Sequence, residues 1–318
     1  MNLVVAIPCL NESETIATVV RSIPRNIDRV SKVVVLVVDD GSKDNTAQLA
    51  REAGAEVVSH GVNKGLGIAF QSAVEWSLKN KMDLMVTTDG DGQFDANDIP
   101  RLIAPIVDGQ ADFVTASRFI SDDYLPQGIP PVKLWGNRQM SKLISSLTGS
   151  SYYDVACGFR AYSKQCLLNL NLFGQFTYTQ EVFLDLSYKR FRIQEVPSRV
   201  RYFEGRKSRM AHSIVKYALN TSKIIGRAYL SYYPLKLFWS MAAVLFAIGG
   251  SLFAVFIGHF MQTGKFTGYL WAGFSGGTLL GTALFLFILG LVVEMLDRIR
   301  VNQERSLALL KQKVFYGE

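Results

Sequence analysis

Two carboxylates, Asp89 and Asp91, stand two residues apart in the stretch TTDGDGQ, after an apolar run, 84–88, that is typical of a buried strand. Like charges this close repel each other. A divalent cation held by one or two carboxylates together with substrate phosphates, the usual arrangement for Mg²⁺, would offset that repulsion. An EF-hand calcium loop fits poorly, because no Glu stands at its twelfth position and a strand precedes it. A turn chosen for its glycines alone remains an alternative.

Other residues suited to a ligand site also fall at the ends of apolar runs. Pro8 ends the first run, and Asp39 and Asp40 end the second. Ligands of parallel sheets bind at the carboxyl ends of the strands, so these residues are expected to share one crevice with Asp89 and Asp91. A P-loop motif is absent, and GLGIAF lacks the third glycine of a dinucleotide fingerprint. Phosphate binding would therefore depend on a metal and on basic side chains.

The elements that must position these residues alternate along the first 210 residues. Near-continuous apolar runs, NLVVAIP, KVVVLVVDD, DLMVTTDG and DFVTASR, predict buried parallel strands. Helical patterns lie between them, near 12–25, 43–54, 66–81 and 95–108. This order predicts an α/β fold, with an open and mostly parallel sheet covered by helices on both faces.

The amino-acid composition is more hydrophobic than is usual for a wholly soluble protein. Of 318 residues, 49% are hydrophobic and 19% are charged, and the net charge is +7. Mean hydropathy is +0.16, which is high for a wholly soluble protein. Three cysteines without CxxC spacing argue against a disulfide framework or a zinc site, and suggest reduced thiols in the cytosol. A strand opens the chain with no basic segment before it, so a cleaved signal peptide is not expected.

Two long runs near the C-terminus predict membrane-spanning helices. Residues 237–264 and 266–293 contain no Asp, Glu, Lys or Arg. Each run exceeds the ~20 residues that a spanning helix needs. Basic residues flank the pair on both outer sides, and the connecting loop holds only Lys265. The positive-inside rule then predicts that both termini and the α/β domain are cytoplasmic.

The segment 211–233 predicts an amphipathic helix lying in the membrane interface. Ile214, Ala218 and Ile225 share one helical face, and Lys216 and Lys223 share the other. An ordinary amphipathic helix packed on the domain is the alternative. In the second span, glycines 273, 277 and 281 recur every four residues, a spacing that would pack the spans together or permit homo-oligomers.

Five motifs in order give a family resemblance: VAIPCLNE, VVDDGSKDNT, NKGLGIAF, TTDGDGQ and CGFRAY. Together they resemble the family 2 glycosyltransferases of the GT-A (Rossmann-like) fold, and in particular the polyprenyl-phosphate glycosyltransferases related to dolichyl-phosphate mannose synthase. The resemblance implies four parts: a cytoplasmic GT-A domain 1–210, the interfacial helix 211–233, two transmembrane helices 234–297, and a basic cytoplasmic tail 298–318. It also implies an integral membrane protein. By analogy with the bacterial relatives, the membrane would be the bacterial inner membrane.

The resemblance implies a donor site for a nucleoside diphosphate sugar with Mg²⁺ or Mn²⁺. The metal ligands would be Asp89, Asp91 and Gln93, with Asp91 the direct ligand. The nucleotide would contact the following residues: Pro8, Asn11, Glu12, Asp39, Asp40 and Lys64. The residues themselves leave simpler readings open, since Asn11 could cap a helix and Asp39 with Ser42 could shape a turn.

On the acceptor side, a lipid phosphate must approach a negatively charged donor, so cations are expected. By resemblance, Arg118 and Arg138 would bind the acceptor phosphate, and Asp154 would lie near the transferred sugar as a base or as a positioning group. Arg160 is a further candidate cation. The stretch RYFEGRKSRM departs in spacing from the family's R-x-x-G-x-S-K pattern, so Arg206, Lys207 and Arg209 are binding candidates of undefined role.

The predicted reaction is inverting transfer of a sugar, from a UDP-sugar such as UDP-glucose, to a polyprenyl phosphate such as undecaprenyl or dolichyl phosphate. No nucleic-acid partner is expected. A processive polysaccharide synthase is a rival, but the chain has no Q-x-x-R-W sequence. Transfer to diacylglycerol or ceramide is another, and a non-catalytic nucleotide-sugar sensor is a third. The presence of Asp89 and Asp91 favours an enzyme over a sensor.

Overall fold

The computed structural model describes residues 1–126, 129–172, 178–201, 226 and 234–317. The chain divides into two compact units. The first comprises Met1–Ile225 and Ser306–Glu318, and the second comprises Gly226–Arg305. The predicted interfacial helix 211–233 lies outside the described residues apart from Gly226, and so remains a prediction.

The first unit is built on a mixed sheet that has seven strands among the described residues, in the order β3-β2-β1-β4-β6-β5-β7. β6 runs antiparallel to both of its neighbours, β4 and β5, and the other pairings are parallel. The strands are β1 Asn2–Cys9, β2 Lys32–Asp39, β3 Glu56–Ser59, β4 Leu84–Thr87, β5 Phe113–Ser117, β6 Arg160–Ser163 and β7 Ile193–Pro197.

The helices of this unit include the four predicted from sequence, with shorter bounds, and three more between residues 131 and 188 that were not predicted. The α-helices are α1 Ile16–Ser22, α2 Thr46–Glu52, α3 Leu66–Lys79, α4 Ile99–Val107, α5 Pro131–Thr148, α6 Lys164–Asn169 and α7 Thr179–Tyr188. Short 3₁₀ turns at Ala96–Asp98 and Asp122–Tyr124 add to them. Helix α3 begins after Gly65, whose φ of 98° is a backbone conformation that glycine adopts easily.

Both faces of the sheet are buried, which explains the continuous apolar runs. One face packs Val5, Val37 and Val86 against residues of α1 and α4 such as Val20 and Leu102. The opposite face of β1 and β2 contacts α3. The strand ends are thereby fixed, and the loops that follow β1, β2 and β4 are held at one edge of the sheet.

The second unit is a helical hairpin, as predicted from the two charge-free runs. Helix α8, Pro234–Thr263, and helix α9, Leu270–Tyr316, are long and apolar enough to cross a membrane, and only 11% of the most apolar window of each is buried within the protein. The turn between them holds Gly264 and Gly268, with φ of 65° and 104°.

The contact between α8 and α9, here called the hairpin seam, uses only part of the glycine series 273, 277 and 281 that the sequence singled out. An added Cβ at Gly276 would come within 2.8 Å of Phe253 N, and one at Gly249 within 2.8 Å of Leu279 Cβ. An added Cβ at Gly277 or Gly281 would meet nothing within 4 Å, so these two residues lie off the seam, whereas Gly273 contacts Phe256. The buried small residues of α9 are Ala272, Gly276, Ala283 and Gly290, the last three at the seven-residue spacing of left-handed helix packing.

Residues 306–317 of α9 belong to the first unit and pack on it. Lys311 Nζ donates to the carbonyl oxygens of Leu168 and Leu170, at 3.4 and 3.2 Å, where α6 ends. Tyr316 Oη donates to Met82 O at 3.1 Å. The predicted basic tail is therefore helical as far as Tyr316 and is held by backbone acceptors of the sheet domain.

Candidate active site

The loops after β1 and β2 are tied together by side-chain bonds to backbone. Asn11, with a φ of 51°, donates its N–H to Ser42 Oγ at 2.8 Å. Its Oδ1 accepts from Lys43 N at 2.7 Å. Asp39 Oδ1 accepts from Ser42 N at 3.0 Å, and its Oδ2 accepts from Ser59 Oγ at 2.9 Å. Asp39 thus shapes the turn with Ser42, as the simpler reading expected. Asn11 does not cap α1.

Glu12 and Pro8 complete this side of the crevice. The Glu12 N–H donates to Thr46 Oγ1 at 2.8 Å, and its carbonyl accepts from Ile16 N at 2.9 Å, where α1 begins. Pro8 is half-buried near the end of β1, opposite Val38 of β2. The first loop is therefore fixed against the second before any ligand binds.

Asp40 is hydrogen-bonded to protein groups, and its predicted contact with the donor remains a prediction. Its carboxylate is buried and accepts the backbone N–H groups of Lys64, at 3.0 Å, and Gly65, at 2.8 Å. It also bonds to His60 Nδ1 at 2.8 Å. Asp40 therefore holds the loop formed by Asn63, Lys64 and Gly65 (the NKG loop), and Lys64 is exposed on that loop.

Asp89 and Asp91 follow β4 and lie close to several other charged side chains. The pKa of Asp89 is raised to about 7, first by burial and then by the charges of Asp91 and Glu12, while Arg118 acts in the opposite direction. Asp91 Oδ1 accepts from Gln93 N at 3.0 Å. A Cβ added at Gly158 would lie 3.0 Å from Asp89 Oδ1, so glycine is needed there for the close approach.

The acidic pair Asp89–Asp91 fits a divalent cation held partly by substrate. Asp89 retains some exposed surface although its carboxylate is strongly desolvated. Within the described ranges, no group of three or more His, Cys, Asp or Glu side chains could hold a metal by itself. Two carboxylates with phosphate oxygens from a ligand are the arrangement typical of Mg²⁺ sites, and the half-buried Gln93 lies beside them.

Arg118 and Asp154 form a buried, forked ion pair next to this acidic pair. Arg118 Nε and Nη2 donate to the two Asp154 oxygens at 2.6 and 2.9 Å. The backbone N–H groups of Arg118 and Ala156 also donate to this carboxylate. Asp154 is 0% exposed. Both oxygens of this carboxylate already accept N–H donors and neither faces solvent, so the geometry favours positioning over general-base chemistry.

Glu195 on β7 was not predicted from sequence. Its Oε1 and Oε2 accept the backbone N–H groups of Asp154 and Tyr153, each at 2.8 Å. Burial raises the pKa of this carboxyl. The only sequence signal was an acidic residue inside an otherwise apolar strand pattern, which is too common to identify a site. His60 and Gly158 gave no separate signal either.

The remaining cationic side chains that the sequence suggested differ in their exposure to solvent. Arg138 is exposed on α5, and no carboxylate of the described residues pairs with it. Arg160 was expected as an acceptor cation, but it is 0% exposed and donates to the carbonyls of Cys157, Val155 and Thr179. That expectation was wrong, because Arg160 is a core residue. Arg206, Lys207 and Arg209 lie outside the described residues.

The sequence profile described as "Glycosyl transferase family 2" matches residues 4–170, which span β1 to the end of α6. The chain belongs to glycosyl transferase family 2. The match includes Asn11, Asp39, Asp91 and Asp154, so the crevice lies within the family domain.

Several named proteins are similar to this chain. Glycosyltransferase AglJ of Haloferax volcanii is 33% identical over 165 residues, which cover 52% of this chain and 51% of that protein. Polyprenol monophosphomannose synthase of Mycolicibacterium smegmatis is 29% identical, covering 68% and 83%. Undecaprenyl-phosphate mannosyltransferase of Micrococcus luteus is 27% identical, covering 69% and 91%.

Solved structures support the GT-A fold of this family 2 member. Glucosyl-3-phosphoglycerate synthase of Mycobacterium tuberculosis, in complex with Mn²⁺, UDP and glucosyl-3-phosphoglycerate, superposes with a TM-score of 0.55 at 22% identity. The match covers 73% of this chain and 79% of that one. The predicted fold class is confirmed.

Proposed function

We propose that this chain transfers a hexose from a nucleoside diphosphate sugar to a polyprenyl phosphate, with inversion at the anomeric carbon. UDP-sugars, for example UDP-glucose, are the favoured donors. The observation that carries the proposal is the acidic pair Asp89–Asp91 beside the Arg118–Asp154 pair, in a family 2 chain that continues into two apolar helices. Relatives named for polyprenol, dolichyl and undecaprenyl phosphate substrates support the acceptor class.

The donor would bind across the loops that follow β1, β2 and β4. Asn11, Glu12 and Asp39 would form the walls of the nucleotide site. Each is held by a hydrogen bond with Ser42 or Thr46, and Pro8 stiffens the end of β1. Lys64 would meet the donor from the NKG loop. Asp89 and Asp91, with Gln93 beside them, would hold Mg²⁺ or Mn²⁺. When bound, this cation would neutralise charge on the leaving diphosphate.

The acceptor phosphate would enter on the opposite side of the sugar. Arg118 and the exposed Arg138 would offset its charge, and the first of these is already oriented by Asp154. A phosphate monoester is ionised near neutral pH, so its oxygen can attack without a general base. Asp154 would therefore position Arg118 and the sugar rather than accept a proton. Charges fixed before the reaction would stabilise the transition state without reorganisation.

The lipid acceptor would reach this crevice at a membrane surface. Helices α8 and α9 would span the bilayer, and the basic flanks of the pair favour a cytoplasmic domain. The segment 211–233 would lie in the interface as an amphipathic helix. Holding a membrane-bound acceptor and a soluble donor in one crevice would replace a bimolecular encounter by an oriented one.

The experiment that tests the proposal is a donor and acceptor screen with the purified full chain in detergent. Undecaprenyl phosphate and diacylglycerol would each be incubated with UDP-glucose, UDP-N-acetylglucosamine or GDP-mannose and Mn²⁺, with mass spectrometry of the lipid products. We expect a polyprenyl-monophosphate hexose, lost in Asp91→Asn protein of unchanged melting temperature. Product with diacylglycerol alone would reject the proposed acceptor.

A further inference from the structure

Three side chains form a hydrogen-bonded chain behind the NKG loop. Asp40 follows β2, His60 follows β3, and Ser72 lies in the middle of α3. Asp40 Oδ1 lies 2.8 Å from His60 Nδ1, and His60 Nε2 lies 2.8 Å from Ser72 Oγ. The side chains of His60 and Asp40 are only 6% and 7% exposed. The chain therefore links two strand ends to a helix in a buried site.

Both ring nitrogens of His60 are used in this chain. In the tautomer with a proton on Nδ1, the ring donates to the Asp40 carboxylate, and Nε2 accepts from the Ser72 hydroxyl. His60 is also anchored through its backbone, because its N–H donates to Asp39 O at 3.0 Å. The imidazole is thus fixed at both nitrogens and along the main chain.

The Asp40 carboxylate, which is held by His60, in turn holds the backbone of the NKG loop. It accepts the N–H groups of Lys64 and Gly65, at 3.0 and 2.8 Å. These bonds set the direction in which the chain enters α3. Removing the His60 bond would leave a buried carboxylate short of a donor, and Asp40 would then be free to move away from the loop.

Close packing adds to the precision of the loop. A Cβ at Gly41 would lie 2.4 Å from Val62 C and 2.6 Å from Asn63 N, so the loop backbone rests directly on Gly41. Lys64 itself is exposed. No carboxylate of the described residues forms an ion pair with its ammonium group. The Lys64 ammonium group is thus exposed to solvent on a loop whose backbone is held in place.

The same residue types occur in serine hydrolases, but the surroundings differ. A nucleophilic serine requires N–H donors aimed at the oxyanion that forms beside it. Ser72 lies inside α3, where backbone N–H groups are used by the helix. Asp40, His60 and Ser72 are therefore placed to stabilise the local structure rather than to attack a substrate.

We propose that His60 is a positioning residue for donor binding: it acts through Asp40 to hold the backbone of Lys64 and Gly65 against the nucleotide diphosphate. This inference rests on the proposed function, because it takes the NKG loop as part of the donor site. Asp40 then acts on the donor only through the loop, and Ser72 orients the ring.

Two substitutions at His60 separate its two bonds. In His60→Asn the amide nitrogen replaces Nδ1 and keeps the bond to Asp40, whereas in His60→Gln the amide reaches the position of Nε2 and keeps only Ser72. We expect His60→Gln to weaken binding of UDP with Mn²⁺ about tenfold, the effect of losing one bond to a buried charge, and His60→Asn to stay within about twofold. The KM for the lipid acceptor should not change in either variant.

Calorimetry on the full chain, with melting temperatures as a check on folding, gives the binding constants. Equal binding by wild type and folded His60→Gln, or equal weakening in both variants, would overturn the inference while leaving the proposed function intact. Wild-type protein that binds neither UDP nor GDP with Mn²⁺ would overturn both. If His60→Gln does not fold, hydrogen exchange of the wild type decides: UDP with Mn²⁺ should slow exchange at 61–65, and unchanged exchange there would overturn the inference.

Discussion

At the scale of single residues, burial and charge act on Asp89 in the same direction. Its pKa rises to about 7 because the carboxylate is desolvated and faces Asp91 and Glu12. The position of this pair at the end of a buried strand was predictable from TTDGDGQ, since the apolar run before it fixes the strand. Most bonds of Asp40 and Asp154 were not, because those partners lie 20 to 41 residues away in sequence.

A pH-dependent stability follows for the metal-free protein. The folded state keeps the Asp89 proton up to about pH 7, whereas an unfolded carboxyl loses it near 3.8, so this group makes stability fall as pH rises through that window. Asp89→Asn cannot ionise and should be more stable than wild type at about pH 8, with a smaller difference at about pH 5. Melting temperatures in detergent with a chelator would measure this. Mn²⁺ should stabilise only the wild type, and a variant less stable than wild type at both pH values would contradict the assignment.

Arg118 should serve the acceptor more than the donor. Arg118→Ala alone would leave Asp154 buried without its partner, at a cost of about 3–5 kcal/mol. The double variant with Asp154→Asn removes that charge as well, and is the better protein for kinetics. Compared with Asp154→Asn alone, we expect the KM of the double variant for polyprenyl phosphate to rise about tenfold or more, with the KM for donor little changed. Equal increases in both KM values would show that Arg118 does not act on the acceptor.

At the scale of elements, strands buried on both faces were the most predictable part. β1, β2, β4 and β5 are continuous apolar runs, and all four were expected. β6 was missed because its four residues, Arg160–Ser163, mix charged and polar types, and its antiparallel direction depends on contacts far apart in sequence. The same β6 carries the buried Arg160, so the missed strand and the wrong expectation for that arginine have one cause.

The sequence left open whether glycines 273, 277 and 281 pack the two spans together or join subunits. It does not show which face of α9 meets α8, and in the structure only Gly273 of the three meets α8. Gly276→Val should destabilise the hairpin by about 1–3 kcal/mol, because the added atoms would overlap Phe253 and Gly249. Gly277→Val is the matched control, since an added Cβ there meets nothing within 4 Å.

Fluorescence of Trp239, which stacks on Phe287 with ring centroids 5.0 Å apart, would report the unfolding of the hairpin in detergent. Melting temperatures of the two valine variants and the wild type are the comparison. A lower melting temperature for Gly276→Val alone is expected. Equal loss in both variants would mean that the seam does not run through Gly276.

At the scale of the whole molecule, a family 2 glycosyltransferase domain and a pair of apolar helices occur in one chain. The membrane association predicted from the charge-free runs fits the length and exposure of α8 and α9. Archaeal relatives are among the similar proteins, so the expectation of a bacterial inner membrane remains a prediction. In the proposed function, transfer from the donor to the lipid acceptor would depend on a cation held at Asp89 and Asp91.

The most direct test of that dependence is a structure of the full chain with UDP and Mn²⁺, with the metal located by its anomalous scattering. The account predicts a manganese peak within coordination distance of Asp91 and of the UDP diphosphate, with Lys64 facing the same ligand. A diphosphate bound elsewhere, or a metal that does not contact Asp91, would contradict it.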